Sequence, residues 1–154
     1  MDSEFTKYLS EVHEKLEHLL DMSPVTMETP LVGAPTGGVY LFSENDNYLY
    51  VGRSKRRLNT RLRGHIKKSS KDSPLAFKLA REATGNTEVS YSGANIRKEL
   101  LADPEFSQAY QNAKARIEKM DIRWVHEPHP IRQALLEIYV SVVLKTPYND
   151  FDTH

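Results

Sequence analysis

The sequence predicts an α+β fold, and three observations carry that prediction. Two short β-type runs, residues 38–43 and 48–52, flank the polar stretch Glu44-Asn45-Asp46-Asn47, which reads as a hairpin loop. Residues 122–126 alternate apolar and polar as a further strand does. The remaining chain is dominated by helical patterns bounded by proline, glycine and capping residues.

Taken in order, residues 3–22 read as an amphipathic helix. Phe5, Tyr8, Leu9, Val12, Leu16, Leu19 and Leu20 recur at helical spacing, with Glu4, Glu11, Glu14 and Glu17 on other faces. Residues 22–36 carry Pro24, Pro30 and Pro35 and form an extended linker, since proline cannot continue the helix. Residues 33–38 are glycine-rich but lack the Lys-Ser/Thr of a phosphate loop and lead into a strand, so they read as a turn. After the hairpin, a helix is expected from Ser54 or Lys55 to Lys68, with Leu58, Leu62 and Ile66 as its buried stripe. Ser73-Pro74 starts another, which stops at Gly85. Residues 86–102 carry no decisive pattern. Asp103-Pro104 opens a helix over residues 104–119, and Pro128 and Pro130 introduce one over residues 131–144, closed by Pro147. This organisation suggests residues 1–36 as an appended helix and linker and residues 37–154 as the main domain.

The chain has 154 residues, enough to bury its own core. It contains no cysteine, which excludes disulfides, a thiolate nucleophile and a cysteine-based zinc site. There is no signal-peptide pattern and no stretch near the roughly 20 apolar residues of a membrane span, so a soluble, cytoplasmic protein is expected. The net charge of zero conceals an asymmetry. Residues 1–28 hold seven acidic and two basic side chains, whereas residues 53–71 hold nine Lys or Arg and no carboxylate. The basic run is either a solvated face or a grip on phosphates; Arg53, Lys55, Arg56, Arg57, Arg63, Lys67 and Lys68 are the candidate nucleic-acid contacts.

Several residues could carry chemistry. On a continuous helix Arg61 and His65, four apart, project from one face. Tyr40 and Tyr50 are either core aromatics or positioned phenols, and a phenol accepts a proton if a neighbouring cation lowers its pKa. Glu137 is the only charged side chain between Arg132 and Lys145, so it needs a cation, a strong donor or water. A structural ion pair with an arginine and a divalent-metal site both answer that need. In His126-Glu127-Pro128-His129 the proline prevents a helical metal spacing, and these residues read as structural; Glu44, Asp46 and Asp72 read as turn residues.

These residues resemble the GIY-YIG nuclease family, named for two strand motifs. Here they stand as Gly38-Val39-Tyr40 and Tyr50-Val51-Gly52. The family's arginine falls on Arg61, its following histidine on His65, its metal-binding glutamate on Glu137 and its late asparagine on Asn149, in order over residues 37–150. Each tripeptide is weak alone; the ordered set is specific. One departure is an interval from Tyr50 to Arg61 a residue longer than in many relatives.

The resemblance implies a small three-stranded antiparallel sheet flanked by helices, with the N-terminal amphipathic helix as an addition. It implies a metal-dependent endonuclease acting on nucleic acid, DNA being the expected substrate, by a single-metal mechanism. Glu137 would hold Mg²⁺ or Mn²⁺, Arg61 would bind the phosphate, and Tyr40, helped by Tyr50 and His65, would orient or deprotonate the attacking water. Gly38, Gly52 and Asn149 would support the site. The alternatives are a non-cleaving nucleic-acid-binding module on the same scaffold, or a structural interaction protein. A homodimer or a specificity-giving partner protein stays open.

Overall fold

The computed structural model describes residues 1–86 and 94–151, so part of the undecided stretch 86–102 lies outside the described residues. In chain order the elements are α1 (Ser3–Asp21), β1 (Thr36–Glu44), β2 (Asn47–Arg57), α2 (Leu58–Gly64), α3 (Pro74–Thr84), α4 (Ala94–Ala102), α5 (Pro104–Glu118), β3 (Asp121–His126) and α6 (Pro130–Leu144). The three strands form one antiparallel sheet in the order β2-β1-β3, flanked by helices. The α+β class and the three-stranded sheet are as the sequence predicts.

The hairpin closes because Asn45 and Asp46 both take left-handed backbone, φ 51° and 64°, which these short polar residues tolerate better than others. Its register sets Tyr40 opposite Gly52 on β2 and Trp124 on β3, with Phe42 opposite Tyr50. Strand alternation then gives the sheet two distinct faces. Val39, Leu41, Val51 and Val125 point to one, buried with Val12, Leu16 and Leu19 of α1 and Leu136 and Val140 of α6. Each such side chain contributes about 1.5–3 kcal/mol of burial, so Val12, Leu16 and Leu19 of the α1 stripe go into the chain's own core, while Phe5 and Leu9 of the same stripe are exposed. Asp2 caps α1 by accepting from the Phe5 amide at 2.9 Å, and His129 caps α6 ahead of Pro130.

The helix expected from Ser54 or Lys55 to Lys68 is corrected at both ends. β2 continues to Arg57, and the helix starts only at Leu58 and stops at Gly64. Residues 53–57 carry no apolar side chain from which to build a buried helix face. Their backbone instead pairs with β1 across a register shift beside Gly37, whose φ is 82°. Leu58 and Leu62 are fully buried as expected, while Ile66 lies beyond the helix.

Two compact units result: residues 1–63 with 119–149, and residues from Gly64 to Glu118 with the chain from Asp150. The first holds the sheet, α1 and α6. The second is helical. Within it α3 packs on α5, with the Phe77 and Phe106 rings 5.3 Å apart, and α3 has the expected ends: Ser73 as N-cap and Gly85, at φ 75°, as the left-handed stop. No helix among the described residues is long and apolar enough to cross a membrane.

Candidate active site

Tyr40 is the centre of the site. Its ring lies directly over Gly52, so close that a Cβ on residue 52 would stand 2.4 Å from both the hydroxyl and Cζ. Glycine at position 52 is therefore a steric requirement of the tyrosine above it. The ring is also held edge-on by Phe42, at 5.7 Å between centroids. Arg61, delivered by the first turn and a half of α2, donates from its guanidinium to the Tyr40 hydroxyl. Burial nevertheless dominates: Tyr40 is 1% exposed, and desolvation pushes its phenol up to about 12 although Arg61 pulls the other way. The expected lowering of this pKa by a cation is thus present but outweighed, and at neutral pH the group is a phenol.

Tyr50 lies two residues before Gly52, on the same sheet face as Tyr40 and diagonal to it. It too is buried, and its phenol is pushed well above the usual tyrosine range, first by burial and then by Tyr40 and Glu137. Glu137 projects from the middle of α6, in the helix that covers the opposite face. Its carboxyl is raised by burial and pulled partly back by Arg53. Arg53, two residues beyond Val51 on β2, sets its Nε 3.7 Å from Glu137 Oε1, with the two side chains 39% and 22% exposed. That is a loose, partly solvated pair of the kind worth about 0.2–1 kcal/mol. The sequence reading of Arg53 as a general phosphate contact missed this pairing, which the i, i+2 alternation from Val51 could have signalled.

Asn149 braces the second motif. Its Oδ1 accepts from the Val51 amide at 2.9 Å and its Nδ2 donates to the Val51 carbonyl at 2.7 Å. Thr146 Oγ1 donates to the same Oδ1 at 2.7 Å, and the Tyr148 amide reaches the Leu49 carbonyl at 3.2 Å. The residue between Tyr50 and Gly52 is thereby clamped on the outer side of β2, away from β1. Gly38 is equally constrained, since a Cβ there would fall 2.3 Å from the Val125 carbonyl oxygen of β3.

The structure brings Tyr40, Tyr50, Arg53, Arg61, Glu137 and Asn149 into the first unit. His65 lies in the second: it is fully buried, and its Nδ1 lies 2.7 Å from Ser73 Oγ. The same Oγ accepts from the Ala76 amide at 3.1 Å, so Ser73 ties the imidazole to the start of α3. With α2 ending at Gly64, the same-face argument linking Arg61 to His65 loses the helix it needs.

Among the expected nucleic-acid contacts, Lys55, Arg56 and Arg57 are exposed along the far end of β2, and Lys67 and Lys68 are exposed after α2. Arg63 instead donates to the Met27 and Thr29 carbonyls, each at 3.1 Å, holding the linker. The 126–129 segment is structural as expected. His126 Nδ1 meets the Gly37 carbonyl at 2.9 Å, and burial of Glu127 is more than offset by Arg132 and the His129 amide, which hold its carboxyl below the ordinary glutamate value.

Glu137 is the residue here that could hold a cation. Among the described residues no three His, Asp or Glu side chains gather as a ready metal cage. A single carboxylate that burial leaves under-compensated, beside open solvent, fits a hydrated divalent ion that keeps most of its waters. A family model described as the GIY-YIG catalytic domain matches residues 36–149. No curated protein and no solved structure gave a match.

Proposed function

The chain belongs to the GIY-YIG nuclease family, and from that premise we propose that it is a divalent-metal-dependent endonuclease hydrolysing phosphodiester bonds in DNA. One observation carries the reading: a half-buried carboxylate, Glu137, is electrostatically coupled to two buried phenols, one of them bonded to Arg61. A merely structural core has no use for so many polar groups at this place, because each costs desolvation energy.

Arg61 binds the scissile phosphate and stabilises the charge that develops on it, the type of electrostatic effect often worth about 3–4 kcal/mol in a transition state. The Tyr40 phenol, held rigidly over Gly52 and protonated at neutral pH, orients the attacking water, and Tyr50 restricts the same space. Tyr40 acts as a base only if substrate and cation binding draw its pKa down from about 12. Glu137 would hold Mg²⁺ or Mn²⁺, which when bound supplies charge neutralisation on the phosphate and stabilisation of the leaving oxygen. Arg53, tied to Glu137 only by a loose ion pair, would serve as a second phosphate contact. Lys55, Arg56, Arg57, Lys67 and Lys68 extend the grip along the nucleic acid, and His65 supports its loop through Ser73.

The second reading, a binding module that does not cut, draws on the Arg53–Glu137 pair, which gives the carboxylate a partner without any ion. Cleavage of labelled single-stranded, duplex and branched DNA and of RNA, with Mg²⁺, Mn²⁺ or EDTA, separates the two. Metal-dependent cutting that disappears in Glu137→Ala is expected. Salt-sensitive binding without cutting under every condition would instead establish the binding module.

A further inference from the structure

The segment following α2 in the second unit is built in an unusual way. Its backbone carbonyls are turned inward onto side-chain donors from the helices beside it. Lys114 Nζ reaches the carbonyls of Lys67 and Ser70, Tyr110 Oη that of Ser70 at 3.4 Å, and Gln111 Nε2 that of Lys68 at 3.3 Å. Arg97 Nη2 takes the Lys71 carbonyl at 2.5 Å. With the main chain so occupied, the side chains of Lys67, Lys68 and Lys71 are exposed. Lys114 is 2% exposed, so its ammonium serves the loop and not a ligand.

Beside this loop opens a cavity of about 540 Å³ whose described lining is Lys71, Asp72, Arg97, Lys98, Leu101 and Ala102. Among the described residues of its lining, three cations stand with one carboxylate. Arg97 is fixed in this wall by two contacts, the Lys71 carbonyl and the Phe77 ring, 4.5 Å below its guanidinium. A guanidinium stacked on a ring and anchored through one nitrogen keeps its other N–H groups in a set direction, which suits a planar or tetrahedral oxyanion.

We propose that this basic loop and cavity form a phosphate clamp in the second unit, in which Lys71, Arg97 and Lys98 bind the sugar-phosphate backbone of the nucleic-acid substrate. The proposal rests on the nuclease reading above and adds to it a contact surface outside the catalytic groups. Among the described residues, the charged groups of the lining are three cations and one carboxylate, which suits a sequence-independent grip on phosphates. Lys114, Gln111 and Tyr110 are positioning residues: they hold the carbonyls so that the lysine side chains face outward.

The test is binding of the full chain to labelled duplex DNA by fluorescence anisotropy in EDTA, from 50 to 200 mM salt, for wild type and K71Q/K98Q. Each lost phosphate contact removes about 0.9 from the slope of log K against log salt, so the double variant should show a slope shallower by about 1.8. Its melting temperature should match wild type, because both side chains are exposed. A wild type that binds and cuts DNA, beside a variant with unchanged slope, overturns the clamp and leaves the nuclease reading standing. A wild type that binds no nucleic acid overturns both. Competition with inorganic pyrophosphate supplies the remaining arm: if the substitutions abolish pyrophosphate binding while the DNA slope is unchanged, the cavity takes small anions and the clamp is again overturned.

Discussion

Gly52→Ala is the sharpest perturbation the site offers. The new methyl carbon would sit 2.4 Å from the Tyr40 hydroxyl and Cζ and 2.7 Å from Cε2, where ordinary contact begins near 3.4 Å. The ring must therefore retreat by roughly 1 Å, and it has little room, being 1% exposed and braced by Phe42. Overpacking of this kind costs about 1–3 kcal/mol. If the retreat also breaks the bond from Arg61, a hydrogen bond to a charged group adds about 1.5–3 kcal/mol. A loss of about 1–3 kcal/mol in urea unfolding is expected if the Arg61 bond survives, and of about 2.5–6 kcal/mol if it does not. Cleavage should fall on the order of a hundredfold, the usual effect of a 1 Å misplacement of a reacting group. Two comparisons isolate the cause. In a Tyr40→Leu background the same substitution should cost far less, since the clashing atoms are gone, and the double-mutant cycle should return a coupling above about 1 kcal/mol. Gly64→Ala, where a Cβ meets nothing within 4 Å, should be neutral or stabilising by up to about 1 kcal/mol. Were Gly52→Ala to unfold within about 0.5 kcal/mol of wild type and cut at its rate, the contact between Tyr40 and the second motif would not be what organises the site.

Two further perturbations follow from the same geometry. Because burial raises the Tyr40 phenol to about 12 against an unfolded value of 10, its contribution to stability is complete below pH 10 and is lost as pH rises through 12; the loss is about 3 kcal/mol, and alkaline unfolding of Tyr40→Phe should lack it. Asn149→Ala removes both amide bonds to Val51 and should destabilise by about 1–3 kcal/mol; hydrogen exchange at the Val51 amide should accelerate, and an unchanged protection factor would show that β2 does not depend on this clamp.

What could be read from the chain, and what could not, divides by range. The hairpin was legible because Glu44-Asn45-Asp46-Asn47 is a local signal, and α3 because Ser73, Pro74 and Gly85 state their roles in place. Residues 54–57 misled because lysine and arginine are good helix formers next to a true helix, while the pairing of β2 with β1 that holds this stretch extended is visible only in the folded register. The Asn149 side chain was expected as a brace, yet its bidentate hold on Val51 joins residues 98 apart and left no local trace. The same is true of Tyr40 over Gly52, which depends on strand pairing. The balance between Arg61 and burial at Tyr40 was legible in its two terms but not in its outcome, since only the depth of burial decides which is larger.

The order of the chain has a consequence for how the protein is made. The first unit is written in two pieces, residues 1–63 and 119–149, with the whole second unit spelled out between them. Tyr40, Tyr50 and Arg61 emerge early from the ribosome, but β3, Glu137 and Asn149 come only after the helical unit has been synthesised. During that interval β1 lacks one neighbour and β2 lacks its clamp, while chain already released is free to fold as it appears. An arginine and two phenols exist without their carboxylate. Synthesis thus delivers the two phenols and the arginine well before Glu137, the carboxylate proposed to complete the site.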